Sequence, residues 1–96
     1  MSDAHTALEA AIRTYLSTSS YMPRMFILQM TSEPDTPEAQ TLKAGLRAAI
    51  DGSNLSPERF EMLTNSVTDT QEQVDTYLAE LWAYAFEDGE EPDLPW

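Results

Sequence analysis

Val74, Tyr77, Leu78, Leu81, Trp82 and Ala85 follow one another at steps of three, one, three, one and three. That recurrence places every large apolar side chain on one face of an α-helix, whereas a strand would alternate with period two. Tyr84 and Phe86 widen the stripe, and the spacing predicts a helix from about Asp69 to Glu87. A helix with one apolar stripe cannot bury that stripe by itself. The remainder of the chain must therefore supply elements that pack against it.

Those elements also read as helices. A first is expected from Ser2 or Asp3, either of which can cap it, with Leu8, Ala11, Ile12, Tyr15 and Leu16 on one face. Ser17 to Ser20 end it, because hydroxyl side chains compete for local backbone hydrogen bonds. Tyr21 to Thr31 fits either a helix entered through Pro23 or a short buried strand at Met25 to Leu28. The helix is preferred, since a lone strand would leave its backbone groups unpaired. The Met22, Met25 and Met30 cluster in this segment suits an irregular core or an adaptable binding face.

Pro37 and Glu38 open a third helix with Leu42, Leu46, Ala49 and Ile50 buried, and Asp51-Gly52 is expected to close it in the left-handed conformation that glycine tolerates. A fourth begins with Ser56 as cap, Pro57 in the first turn, and Leu55 placed to staple onto Phe60. Phe60, Leu63 and Val67 are expected to face inward, and Thr68 and Gln71 offer a capping box for the last helix. The fold class is thus all-α, a small bundle or orthogonal array of four to five short helices. Residues 1–88 form one helical domain and residues 89–96 an acidic tail, where Pro92 and Pro95 forbid a helix.

Charge divides the chain unevenly. No Lys or Arg follows Arg59, while Glu61, Asp69, Glu72, Asp75, Glu80, Glu87, Asp88, Glu90, Glu91 and Asp93 lie beyond it. The first 59 residues are nearly balanced, with a net charge of −2 out of −12. A field of one sign repels nucleic acid and anionic membrane and accelerates association with a basic protein surface. The placement also opposes helix stability, because a helix C-terminus favours cations by about 0.3–1 kcal/mol. Here that end carries Glu87 and Asp88, followed by Glu90 and Glu91. Asp69, Glu72, Asp75, Glu80 and Glu87 are expected on the exposed side of the last helix. Neighbours three or four residues apart stand about 5–6 Å from one another, comparable with phosphates along a strand, so the face can imitate nucleic acid.

Enzymatic chemistry lacks parts. His5 is the single histidine and stands beside the N-terminus, the three glycines are isolated, and there is no cysteine. Asp51-Gly52-Ser53-Asn54 is followed by Leu55 and Pro57 where a calcium loop needs oxygen ligands. No catalytic, metal or cofactor site is therefore expected. The absence of cysteine, of a basic and apolar leader, and of any run approaching ~20 apolar residues leads to the expectation of a cytoplasmic protein. The Asn54-Leu55-Ser56 sequon is then a chance match.

In size, acidity and lack of catalytic parts the chain is similar to nuclease immunity proteins, antitoxins and phage-encoded inhibitors of restriction or CRISPR complexes. The likeness is one of composition. It implies a monomer or homodimer that inhibits a protein with a basic surface, such as a nucleic-acid-processing enzyme or complex, without touching nucleic acid or membrane itself. Asp69, Glu72, Asp75, Glu80, Glu87, Asp88, Glu90, Glu91, Asp93 and Trp96 are the candidate partner-binding residues. The alternative is a helical adaptor or chaperone-like subunit that holds a partner through apolar helix faces.

Overall fold

The computed structural model describes residues 3–52 and 54–92. Among them five helices follow one another: α1 (Asp3–Tyr15), α2 (Pro23–Thr31), α3 (Pro37–Gly52), α4 (Pro57–Thr64) and α5 (Gln71–Phe86). The fold is all-α as expected, and the ambiguous segment after Tyr21 is helical. Ser2, one of the two caps proposed for α1, lies outside the described residues.

Ser17 to Ser20 do more than end α1. Two-residue strands β1 (Leu16–Ser17) and β2 (Ser20–Tyr21) pair antiparallel, with Leu16 opposite Tyr21. The backbone N–H of Thr18 at the turn donates to the Thr64 carbonyl at 2.8 Å, and that of Met22 to Tyr15 at 2.6 Å. The hydroxyl-rich turn thus gains a tertiary hydrogen bond that local sequence does not reveal. It also brings Leu16 into the core.

Each helix contributes one stripe to a single core: Leu8 and Ile12 from α1, Phe26 and Met30 from α2, Leu42, Leu46 and Ala49 from α3, Phe60 and Leu63 from α4, and Val74, Tyr77, Leu78 and Leu81 from α5. The methionine cluster divides, since Met30 is buried while Met22 and Met25 are exposed. α1 packs most extensively on α3, and Gly45 is why the two can approach so closely. A Cβ there would fall inside van der Waals contact with the Ala4 carbonyl oxygen and 2.8 Å from its carbon.

Two expected caps hold and three expectations do not. Ser56 accepts from the Arg59 N–H at 3.1 Å with Pro57 behind it, and Pro37 and Glu38 open α3. At the other end of α3, however, Gly52 is not left-handed. The Asn54 amide closes that end by donating to the Ala48 carbonyl at 3.3 Å, while its backbone N–H donates to Ala49. The capping box of α5 is Thr70 with Gln73, not Thr68 with Gln71. Val67 is 58 % exposed rather than inward, because Asn65 adopts the left-handed conformation (φ 63°) and ends α4 before the helical phase reaches it.

Arg59 ties α4 to α1 by a two-pronged ion pair with Glu9, its Nε 2.9 Å from Oε2 and its Nη2 2.7 Å from Oε1. The Arg59 hydrogen bonds hold the Glu9 carboxyl below the usual glutamate range, against the partial burial that pushes it up. His5 Nε2 lies 3.0 Å from the same Oε2. An ionised carboxylate can only accept, so that nitrogen carries a hydrogen. His5 is thus partnered while its side chain stays at the surface, 41 % exposed. A lowered carboxylate stabilises the fold above its unfolded-state pKa, roughly 4.3, and that contribution is lost as pH falls through the folded value. Glu9→Gln should lower the melting midpoint relative to the parent at pH 7. The gap should close progressively below about pH 4, and a gap that is constant from pH 7 to 3 would contradict the pairing.

Candidate functional site

The acids beyond Arg59 do not form one face. Asp69 lies in the loop before α5, its backbone N–H held by Gln73 Oε1 at 2.6 Å. Glu72 occupies the first turn of α5, where a negative charge complements the helix dipole. Asp75 is half-buried and accepts from Gln71 Nε2 at 3.0 Å, and that amide also reaches the Leu55 carbonyl at 2.6 Å. Asp75 therefore orients a side chain that joins α5 to the start of α4. On the helix itself Glu72 and Glu80 stand two turns apart, roughly 11–12 Å, too sparse to imitate a phosphate backbone alone.

Crowding begins at the C-terminal end of α5. Glu87 caps the helix, Asp88 turns left-handed at φ 56°, and the N–H groups of Glu87 and Gly89 converge on the Ala83 carbonyl at 2.8 and 2.9 Å. Asp tolerates this backbone region better than most residues. The glycine is needed one position later for space: a Cβ on Gly89 would sit 2.9 Å from Ala83 Cβ and 3.0 Å from its carbonyl carbon. The chain thus reverses tightly against the helix it has just left.

What holds the returning segment is a relay of hydroxyls. Tyr21 donates to the Pro92 carbonyl, and the Tyr21 and Tyr77 oxygens are 3.1 Å apart. Tyr21 has a single hydroxyl hydrogen, so Tyr77 donates to it. Pro92 is buried, and Tyr77 is itself fixed by an edge-on contact with Phe60, centroids 5.5 Å apart. Anchored in this way, Glu90 and Glu91 line a groove of about 500 Å³ together with Glu80, Ala83 and Pro92.

No basic side chain lines that groove. Arg59 is paired with Glu9, and Arg47 makes a two-pronged bond to Asp51 at 2.7 and 3.0 Å. Lys43 lies 4.7 Å above the Phe86 ring, and Arg47 lies 5.2 Å above Trp82. These α3 cations supply part of what the end of α5 lacks in sequence. They also correct the expectation for Trp82, which is half-buried beneath them and tilted against Phe86 at 4.6 Å, not enclosed in the core.

Glu80, Glu90 and Glu91 are therefore gathered along one groove, with Glu87 and Asp88 at the turn before it, whereas Glu72 and Asp75 serve the fold and Asp69 stands apart. Asp93 and Trp96 lie outside the described residues. Sequence reasoning missed Tyr21, Gly89 and Pro92, which build the arrangement. Only Gly89 and Pro92 carried a local hint, as a helix stop. Among the described residues no three His, Asp or Glu side chains are set to hold a metal ion, and no helix is long and apolar enough to cross a membrane. The gathered carboxylates offer charge and hydrogen-bond acceptance. Set against family models, curated proteins and solved structures, the chain matches none.

Proposed function

We propose that this protein works by stoichiometric binding: it neutralises a partner whose basic surface serves to bind nucleic acid, in the manner of an anti-CRISPR, anti-restriction, immunity or antitoxin inhibitor. The observation that carries the reading is a groove lined by Glu80, Glu90 and Glu91, with Glu87 and Asp88 at the turn that leads to it and no Lys or Arg among its described lining residues, while Lys43, Arg47 and Arg59 are occupied elsewhere. Such a surface adds little to folding and invites Arg and Lys from another molecule.

Replacing Glu80 and Glu87 by Lys and Glu90 and Glu91 by Gln changes the net charge from −12 to −6 and leaves every core residue in place. Parent and variant, immobilised, should be exposed to extract of the source cell at low salt. Proteins retained only by the parent should bind nucleic acid and release it when the parent is added. With a retained protein purified, association with the variant should be slower by about tenfold or more at low salt. The difference should shrink near 1 M, where the Debye length is about 3 Å. Retention of the same proteins by both forms would defeat the proposal.

One observation favours the adaptor reading. Met62 is 70 % exposed, and Val67, Met22 and Met25 are exposed as well, so apolar surface remains for a partner helix. An adaptor would bind parent and charge variant alike and would be indifferent to salt.

A further inference from the structure

We infer that the segment 89–92 is a strap whose closure depends on counterions. Two opposing sets of contacts meet in it. Closure is favoured by the burial of Pro92, by the Tyr77–Tyr21–Pro92 relay and by the Gly89 N–H on Ala83. It is opposed by charge, because folding the segment back brings Glu90 and Glu91 to the groove wall that Glu80 already occupies, with Glu87 and Asp88 at the turn. No Lys or Arg lines the groove, and the nearest α3 cations lie over the rings of Trp82 and Phe86.

The opposing charges are exposed, so their repulsion is screened by salt, while the buried proline and the hydroxyl relay are not. Dilute salt therefore favours the open strap, and concentrated salt or any polycation favours the closed one. Closure and groove formation are the same event, since Glu90, Glu91 and Pro92 form one wall. A cation that enters the groove stabilises the wall that holds it. This coupling uses only the protein and its ions, and it stands or falls independently of the inhibitor reading.

A glutamate-specific protease reads the strap directly. Glu90 and Glu91 are exposed, as is Glu33 between α2 and α3. The backbone of 89–92, however, is tied to Ala83 and Tyr21 and can extend into a protease cleft only when the strap lifts, so Glu33 provides the internal reference. Initial rates at the two sites, resolved by mass spectrometry on the intact protein, give a ratio that cancels the protease's own salt dependence. Between about 0.01 and 1 M salt, as the Debye length falls from about 30 to 3 Å, the ratio should drop several-fold in the parent. Glu80→Gln should show a lowered ratio already in dilute salt, an effect that no loss of stability can mimic. Tyr21→Phe removes the relay hydroxyl and should raise the ratio by about two- to tenfold at every salt concentration, as expected for one net hydrogen bond. A ratio that ignores both salt and Glu80→Gln would overturn the counterion dependence. A Tyr21→Phe ratio equal to the parent's would overturn the latch.

Discussion

Phe60→Ala should lower stability by about 3–5 kcal/mol, a large part of what a domain of this size possesses. The ring is fully enclosed, with no exposed surface, and it sits at the start of α4 where Ser56 and Pro57 fix the helix direction. It also packs edge-on against Tyr77, so its loss leaves a cavity beside the residue that holds the hydroxyl relay. The variant should show a much lower urea midpoint, or remain unfolded at room temperature. Trp82→Ala is the informative comparison. The indole is half-buried and gains about 0.5–1.5 kcal/mol from Phe86 and about 0.5–1 kcal/mol from each of Lys43 and Arg47, so its removal should cost about 1.5–3.5 kcal/mol in total. Equal losses for the two variants would mean that Trp82 is as enclosed as Phe60.

Gly45→Ala should destabilise the protein by about 1–3 kcal/mol, the usual range for an overpacked site. Helix propensity alone argues the other way, since alanine is better than glycine within a helix by about 1 kcal/mol. Sterics decide the sign here, because the new methyl would meet the Ala4 backbone carbonyl, with Leu8 Cβ at 3.3 Å. Backbone cannot rotate aside as a side chain can, so α1 must move off α3 and loosen Leu8 and Ile12 as it goes. Gly52→Ala is the matched control. Its methyl would press on the Asn54 side chain at 3.0–3.2 Å, which closes α3 but can shift where a backbone carbonyl cannot, and its φ is not positive, so it should cost less than Gly45→Ala. Thermal melts of the two variants should move apart, and a stabilised Gly45→Ala would refute the close α1–α3 crossing.

The features legible in sequence were those whose chemistry is local. Ser56-Pro57-Glu58 starts a helix by means of its own atoms, and the stripe from Val74 to Leu81 needs only the helical period. Where two local solutions were equally good, distant contacts chose between them. Thr68 with Gln71 and Thr70 with Gln73 are the same box in two frames, and the second is used because the Gln71 amide is committed to Leu55 and Asp75. Gly52 stayed helical because Asn54 could reach Ala48. Trp82 ended at the edge of its stripe because α3 presents Lys43 and Arg47 there. The excess of acids was plain from composition, but their gathering depends on Tyr21, 71 residues from the proline it holds. No window along the chain contains that pair.

The same separation bears on the order of folding. Joining Tyr21 to Pro92 first would close a very long loop, with little to offset the lost chain entropy. Once α5 has docked, its Tyr77 already stands beside Tyr21, and the remaining closure spans only Glu87 to Pro92. A loop of that length forms within roughly 10–100 ns, far faster than a domain unfolds. The strap therefore samples its open and closed positions many times during a single lifetime of the folded core. A protease or binding partner that acts more slowly than this meets an equilibrium between the two.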